Sequence, residues 1–409
     1  MSNSENHNRP KAKTDSAGHP PRRTPGPPRV SGTNPLQFSH ELIHPVRHIY
    51  VHIPFCARIC PYCAFYKDLL DASQTSRFCD AILHELVGDD RPSRLLPSTI
   101  YFGGGTPTAL NLAQLELLLS GFSEGLDLSQ LVEWTIEANP GSVSTRKAIL
   151  MKKFGINRIS VGVQSWNDEL LKVLGREHNA QQATESFRIL RDAGFTNINM
   201  DLMFGLPGQT IDQWRATLET TIALQPEHIS TYCLTYEEDT EFFLRHARGE
   251  FRQDPDADAE FFEMTMATLE DSGYRHYEIS NYARPGFESA HNRAYWRGED
   301  YLGIGPSAVS TIGMRRWQNV CNYRVYIDQI FAKQSPCGTS ETLTHKMKRM
   351  ERIALGLRTR DGIPSSELTD FAQQIDELAA LKLLRKSNGN FVLTRRGKAL
   401  ADSVVEAFL

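Results

Sequence analysis

Long apolar runs are absent from this 409-residue sequence, and none approaches the roughly 20 residues that a membrane-spanning helix needs. A strong charge of one sign is absent too. The net charge of −4 gives no electrostatic footprint for nucleic acid or an anionic membrane. The seven cysteines are an odd number, and the first residues lack the apolar core of a secretory signal. We therefore expect no disulfide framework, no membrane span and a reducing, cytoplasmic setting.

The composition does provide enough apolar residues for a large core. Hydrophobic residues make up 40% of the chain, which predicts a domain of roughly 200 to 250 residues and a smaller one. Residues 1–45 differ, because 8 of the 21 prolines fall there with few aliphatic residues. We expect a disordered Pro-rich tail. A transit peptide is the alternative, although Glu5 and Asp15 interrupt the acid-poor composition of such peptides.

Residues 46–240 show six β-rich runs separated by segments of helical spacing. Repeated strand and helix units predict parallel βαβ connections, which fit either a doubly wound sheet or a (β/α) barrel. Each run ends in polar or glycine-containing residues, and in a barrel such ends meet at one mouth. We therefore favour a partial (β/α)6 TIM-like barrel. The runs are "IYVHI", "TIYFGG", "EWTIEAN", "RISVGVQS", "NINMDLMFG" and "HISTYCL".

The remaining chain is predicted to form an α+β extension (241–344) and a winged-helix-like C-terminal domain (345–409). In the latter, helical segments precede "KLLRKSNGNFVLTRRG", which predicts a hairpin with an N-G turn. A winged helix with a slight basic excess allows a DNA-binding hypothesis. Because the excess is small and fold does not imply function, we do not expect nucleic acid as a partner.

Three cysteines, Cys56, Cys60 and Cys63, form a C-x3-C-x2-C array directly after the first strand. A structural zinc site would need a fourth ligand, for which His52 is available. A [4Fe–4S] cluster held by only three thiolates is the second interpretation. It would leave one iron open to an exchangeable ligand, which implies a substrate or cofactor.

The array, with Tyr62 before its third cysteine and "GGGTP" at the next strand end, resembles the radical S-adenosylmethionine (SAM) superfamily. The resemblance implies a [4Fe–4S] cluster on the three cysteines, SAM bound to its open iron, and an electron donor such as a flavodoxin or ferredoxin. Arg176 suits a bidentate pair with the SAM carboxylate, and Asp201 suits the ribose hydroxyls. The implied SAM-binding residues are Tyr50, Gly103, Gly104, Gly105, Thr106, Glu137, Gln164, Arg176 and Asp201.

Within that superfamily, residues 46–409 are similar to the oxygen-independent coproporphyrinogen III oxidase group. Oxidases of this group carry a further cysteine two places after the third cluster cysteine, whereas its heme chaperones usually have Phe, as here at Phe65. The resemblance thus implies a chaperone that binds heme and transfers it to an acceptor protein. The oxidase activity, a radical-dependent decarboxylation of propionates, is the alternative.

The stretch "HNRAYW", His291 to Trp296, resembles a heme-binding motif of these chaperones. It implies that His291 ligates heme iron, beside an aromatic wall. The alternative is a structural strand or loop in which His291 caps a backbone group. One departure is Val309, which stands where relatives often have a histidine and which cannot ligate iron.

The metal content of the purified protein distinguishes the two uses of the cysteine array. Anaerobically purified protein should contain iron and acid-labile sulfide, because three thiolates with an open fourth position suit a cluster. Metal analysis with a sulfide assay measures both. Stoichiometric zinc without sulfide would instead favour a zinc-stabilised, nucleic-acid-binding protein.

Overall fold

The computed structural model describes residues 45–88 and 95–409, so the predicted tail lies outside the described residues except at its last position. The strands are β1 (Val46–Ile53), β2 (Phe55–Cys56), β3 (Asp68–Leu69), β4 (Leu95–Gly104), β5 (Glu133–Ala138), β6 (Arg158–Gln164), β7 (Ile198–Phe204), β8 (His228–Cys233), β9 (Arg275–Glu278), β10 (Asn281–Ala283), β11 (Tyr301–Ile304), β12 (Val309–Ile312), β13 (Arg315–Asn319), β14 (Cys337–Thr342), β15 (Ile363–Pro364), β16 (Leu384–Ser387) and β17 (Asn390–Leu393).

The α-helices are α1 (Thr75–Val87), α2 (Leu112–Gly125), α3 (Thr145–Lys153), α4 (Asp168–Val173), α5 (Ala180–Asp192), α6 (Ile211–Leu224), α7 (Glu241–Ala247), α8 (Pro255–Asp271), α9 (Ala290–Trp296), α10 (Tyr323–Phe331), α11 (His345–Leu357), α12 (Ala372–Ala380), α13 (Arg395–Ala399) and α14 (Ala401–Glu406). Within the described ranges, no helix has both the length and the apolar character to cross a membrane.

Six parallel strands form the centre of the fold. They are adjacent in the order β1, β4, β5, β6, β7, β8, and at least one helix joins each to the next. This arrangement confirms the predicted partial (β/α)6 barrel. Each of the six β-rich runs in the sequence lies on one of these strands.

The helices between the strands begin where the sequence supplies a cap. The side chains of Asn111, Asn179 and Thr210 each accept a hydrogen bond from the backbone N–H three residues on. The glutamine side chain at that position accepts one from the backbone N–H of the cap residue. Such capping boxes satisfy otherwise free N–H groups. Gly155 and Gly194 follow α3 and α5 with φ values of 91° and 84°, a conformation that ends helices and favours glycine.

The extension continues the same sheet at both edges. β11 pairs in parallel with β1 and is followed outward by antiparallel β12, β13 and β14, while β10 and β9 add antiparallel strands beside β8. The twelve-stranded sheet therefore crosses the predicted boundary at residue 240. That division of the chain stays a prediction.

The carboxy-terminal segment has its own hydrophobic core, built on Ile353, Leu357, Leu393 and Val404 among others. Its helices α11 to α14 accompany a three-stranded sheet in the order β15, β17, β16. The N-G turn joins β16 to β17, with positive φ at both Asn388 (49°) and Gly389 (84°), as a two-residue hairpin requires. The predicted winged-helix-like architecture is confirmed.

Side chains alternate between the two faces of the six parallel strands. On one face, apolar side chains of every strand join the helices in the main hydrophobic core, among them Val51, Phe102, Ile136, Val161, Met200 and Ile229. The opposite face carries polar side chains that are also buried, among them His48, Thr99, Glu133, Arg158, Asn199 and His228. Parallel strands covered on both faces are normally apolar on both, so the polar face indicates a functional surface.

Truncation of Phe102 should test the packed face. Its fully buried ring contacts Phe122 and Trp134 at centroid distances of 4.9 and 5.9 Å. Because Phe102→Ala would leave a cavity, it should lower the free energy of unfolding by about 3–5 kcal/mol. The control Val132→Ala changes a 68% exposed side chain and should cost less than about 0.5 kcal/mol. Urea denaturation measures both, and equal losses would contradict this packing.

Candidate functional site

The polar face of the sheet forms the floor of the site. Strand register sets neighbouring side chains opposite each other on β1 and β4, with His48 opposite Thr99, Tyr50 opposite Tyr101 and His52 opposite Gly103. The same face continues through Glu137 on β5 and Asp201 on β7. The site therefore extends along the strands, and not only across their carboxyl ends as the sequence predicted.

The three cysteines of the array lie in the segment that follows β1. Cys56 ends β2, and the backbone N–H of Cys63 donates to the Cys60 carbonyl at 3.2 Å. All three side chains are partly buried and free of disulfides. Burial raises the pKa of the Cys56 and Cys63 thiols, and the proximity of the other two cysteines adds to it in Cys56.

The described surroundings of the thiols do not form a ready zinc site. Within residues 45–88 and 95–409, no three His, Cys, Asp or Glu side chains converge as ligands of a single ion. Thiolates of a [4Fe–4S] cluster bind different irons and need not converge in that way. His52, the candidate fourth zinc ligand, already has both ring nitrogens at 2.9 Å from other groups, the Tyr50 hydroxyl and the Tyr66 carbonyl.

The glycine turn after β4 packs directly against the segment after β1. A Cβ atom on Gly104, which has φ of 107°, would lie 2.5 Å from the His52 ring, and one on Gly105 would lie 2.5 Å from the Pro54 backbone. Gly105 N–H donates to the Ile53 carbonyl, and the buried Thr106 donates its N–H to the Phe55 carbonyl. These positions exclude any larger residue, so the turn is held beside the cysteine segment.

Arg176 lies at the centre of the cysteine side of the site. Its Nη1 is 3.6 Å from Cys60 Sγ, and its Nη2 donates to Asn139 Oδ1 at 2.6 Å and to the Gly162 carbonyl at 2.8 Å. Asn139 in turn donates to Thr106 Oγ1, which is 3.6 Å from Cys56 Sγ. This chain of contacts joins two cysteines to the ends of three strands. Asn139 was not predicted, although it is the last residue of the quoted run "EWTIEAN".

Tyr101 joins three of the predicted residues on the other side of the turn. Its hydroxyl donates to Glu137 Oε1 at 2.8 Å, its ring stacks on Tyr50 at 6.2 Å, and it lies 5.1 Å from the His291 ring. Glu137 also accepts from the Gly104 N–H at 3.1 Å. Burial raises the pKa of Glu137 to about 7, although the hydrogen bond from Tyr101 opposes the shift.

Gln164 and Asp201 take up different positions. Gln164 ends β6 with φ of 66°, a strained conformation for a residue other than glycine, and its amide lies near Arg176 across Gly162. Asp201 lies deeper in the sheet and accepts hydrogen bonds from Ser160 and Asn199 at 3.0 and 2.8 Å. Burial raises the pKa of Asp201, and the charge of Asp201 in turn helps to raise the pKa of Glu137.

His291 lies in the first turn of a helix, α9, and not in the strand or loop that the structural alternative assumed. Its Nδ1 is 2.8 Å from the hydroxyl of Thr99 on β4, so it does not cap a backbone group. Burial, with the nearby His48 and Arg158, lowers the pKa of His291 to about 3. The imidazole is therefore neutral at physiological pH.

The sequence interpretation missed the residue that anchors α9. The carboxylate of Glu133, on β5, accepts from the Ser289 hydroxyl and from the N–H groups of Ala290 and His291 at 3.1, 2.8 and 3.1 Å. It thereby satisfies free donors of the first turn. The signal in the sequence was the polar alternation of Glu133, Thr135 and Glu137 in "EWTIE".

A cleft of about 1220 Å³ opens above the polar face. Tyr50, Glu137 and His291 line it together with exposed aromatic side chains, Phe65 (72%), Tyr295 (46%) and Tyr232 (40%). Val309 also lines it, at the start of β12. The cleft thus unites part of the predicted SAM site with the predicted heme site.

Known families match two parts of the chain. The Radical SAM superfamily matches residues 50–221, and the HemN C-terminal domain matches residues 343–400. The first range contains the three cysteines and the glycine turn. The second begins just before α11.

Similar proteins cover almost the whole chain. "Heme chaperone HemW" from Bacillus subtilis (strain 168) is 36% identical over 376 residues, which span 89% of this chain and 99% of that protein. The protein of the same name from Escherichia coli (strain K12) is 32% identical over 375 residues, or 89% and 98%. The solved coproporphyrinogen III oxidase (HemN) from Escherichia coli, titled a radical SAM enzyme, shares 25% identity and a TM-score of 0.77 over 89% of this chain and 90% of that one.

Ionisation of Glu137 should make the ligand-free protein less stable as pH rises. Its carboxyl has a pKa of about 7 in the folded chain against 4.5 ordinarily, so between these values the folded state binds a proton that the unfolded state lacks. The contribution of Glu137 to the free energy of unfolding is fully present below pH 4.5 and is lost as pH rises through 7. The loss is on the order of 3 kcal/mol at most. Glu137→Gln should remove this loss.

Urea unfolding of both proteins at about pH 5 and about pH 7.5 measures the difference. Glu219→Gln, a change at an exposed carboxyl of α6, should keep the wild-type pH dependence. If Glu137→Gln also kept it, the buried environment described for Glu137 would be wrong.

Proposed function

Because the chain belongs to the HemW family of heme chaperones within the radical SAM superfamily, we propose that it binds heme and transfers it to an acceptor protein, with a [4Fe–4S] cluster and SAM beside the heme. The observation that carries this proposal is the single cleft that Tyr50, Glu137 and His291 share. Its volume of about 1220 Å³ exceeds the range of roughly 300–1000 Å³ of ordinary small-molecule sites, which suits two ligands.

Cys56, Cys60 and Cys63 would hold the cluster, which supplies an iron to bind SAM and an electron to activate it. The turn Gly103–Thr106 offers backbone groups close to the cysteine segment, and Arg176 brings a cation against Cys60. We assign the SAM carboxylate to Arg176 and the ribose to Gln164 and Asp201. Tyr50 and Glu137 would border SAM on the cleft side.

The heme would lie on the aromatic wall of the cleft. Phe65, Tyr232 and Tyr295 expose large apolar surfaces to water, which a porphyrin would cover. His291 is a neutral imidazole that lines the same space, and it would ligate the iron. Val309 offers no second ligand, so His291 acts without the histidine that relatives often carry there. Arg297 and Arg352 line the cleft and would meet the propionates.

The partners follow from this function and from the surface near the cysteines. Arg58 and Ile59, between Cys56 and Cys60, are exposed, so a reductant such as a flavodoxin or ferredoxin can approach the cluster. All seven cysteines are free, which supports a reducing, cytoplasmic setting.

Hemin titration tests the proposal directly. The anaerobically reconstituted protein should bind hemin one to one, with a shifted Soret band, and His291→Ala should weaken binding by about tenfold or more because the iron loses its ligand. His345→Ala removes an exposed histidine at the start of α11 and should bind as the wild type does.

Absence of specific hemin binding would contradict the chaperone function. The oxidase is then the alternative, and conversion of coproporphyrinogen III by the reduced, SAM-loaded protein would establish it. The exposed Phe65 argues against it, because this position has no thiol.

A further inference from the structure

We propose that Glu299, His48 and Thr99 form a hydrogen-bond relay that keeps His291 in one tautomer, with a proton on Nδ1 and a free electron pair on Nε2. The relay makes these three side chains positioning residues for the iron ligand. It rests on the proposed function, since it explains how the chain prepares His291 to bind heme.

The relay is continuous from the cleft rim to His291. Glu299 Oε2 lies 2.9 Å from His48 Nε2, His48 Nδ1 lies 2.9 Å from Thr99 Oγ1, and Thr99 Oγ1 lies 2.8 Å from His291 Nδ1. His48 and Thr99 are register partners on β1 and β4, and both are buried (7% and 1% exposed). Each link is within the normal length of a hydrogen bond.

The donors and acceptors of the relay allow one arrangement when His48 is neutral. An ionised carboxylate only accepts, so His48 Nε2 carries the proton and His48 Nδ1 accepts. The Thr99 hydroxyl has a single proton, which it must donate to His48. Its oxygen then accepts from Nδ1–H of His291, and Nε2 of His291 keeps its electron pair.

The free nitrogen is on a ring that faces the ligand space. His291 lines the cleft, and among the described residues none makes a hydrogen bond to its Nε2. A histidine that binds a metal through one nitrogen typically donates its other N–H to the protein, which fixes the ring and its tautomer. Here the acceptor for that N–H is Thr99.

The backbone of His291 is fixed independently of its ring. Glu133 accepts the N–H of His291 and of Ala290, so the first turn of α9 is anchored to β5. Arg158 is 1% exposed, and its positive charge lies close enough to Glu133 to balance it. With the backbone held by Glu133 and Nδ1 held by Thr99, the ring has little freedom to turn.

A doubly protonated His48 would reverse the relay. Both of its nitrogens would then donate, the Thr99 hydroxyl would donate to His291 Nδ1, and Nε2 of His291 would carry the proton. That tautomer cannot bind iron without losing the proton. The two arrangements therefore make opposite predictions about whether Nε2 of His291 carries a proton.

Substitution of Thr99 tests the relay through heme binding. Thr99→Val keeps the shape and removes the hydroxyl, and it should weaken hemin binding by about 10- to 100-fold, the usual effect of losing a partner of a metal ligand. Thr99→Ser keeps the hydroxyl and should restore binding to near the wild-type value. Thr231→Val is the matched control, because Thr231 is also buried (2% exposed) and its hydroxyl has no hydrogen-bond partner among the residues that the structure describes.

Nitrogen NMR of histidine-labelled, heme-free protein at about pH 8 provides a second measurement, since imidazole with an ordinary pKa of about 6.5 is neutral there. The His291 signals, assigned by their absence in His291→Ala, should show protonated Nδ1 and unprotonated Nε2 in the wild type. This measurement decides the question even if Thr99→Val fails to fold. A protonated Nε2 would overturn the relay.

The outcomes separate the relay from the proposed function. If His291→Ala loses heme but Thr99→Val binds as the wild type does, the relay is wrong and the chaperone function stands. If His291→Ala binds heme normally, His291 is not the ligand, and both the relay and the proposed heme site are wrong.

Discussion

Alternation of side chains along the parallel strands is the constraint on which the structure depends. Because successive residues point to opposite faces, a strand such as β1 commits Val51 to the hydrophobic core and His48, Tyr50 and His52 to the cleft at the same time. A shift of one residue in register would exchange the two sets. Packing of the core therefore determines the face to which the functional side chains point, although none of them belongs to the core.

A buried polar face is stable only when its groups satisfy one another. Asn199 bridges three strands: its amide donates to Ser160 and Asp201, and its carbonyl oxygen lies 2.6 Å from His228 Nδ1. His228 reaches the Tyr277 hydroxyl at 2.8 Å, which ties β8 to β9. The polar network thus extends from the barrel into the extension, which also carries His291.

The features that could be predicted from the sequence are those that local patterns determine. The six strands, the helices between them and the N-G hairpin follow from propensity, caps and turn residues, which act over a few positions. The pairing of β11 with β1 and of β10 with β8 joins distant segments, and no local pattern encodes it. For the same reason the partners of His291 were not foreseen, since Thr99 and Glu133 lie more than a hundred residues before it in the chain.

Helix α11 of the carboxy-terminal segment contributes to the same cleft. Lys348, Arg349 and Arg352 of α11 line the cleft, yet Arg349 and Arg352 pair with Asp370 and Glu367 at 2.8 Å each. Across the cleft, Arg316 of β13 forms a bidentate salt bridge with Glu351 of α11. Because these cations already have carboxylate partners, an anionic ligand would have to displace them. The propionates proposed to meet Arg352 would therefore compete with Glu367 for its guanidinium group.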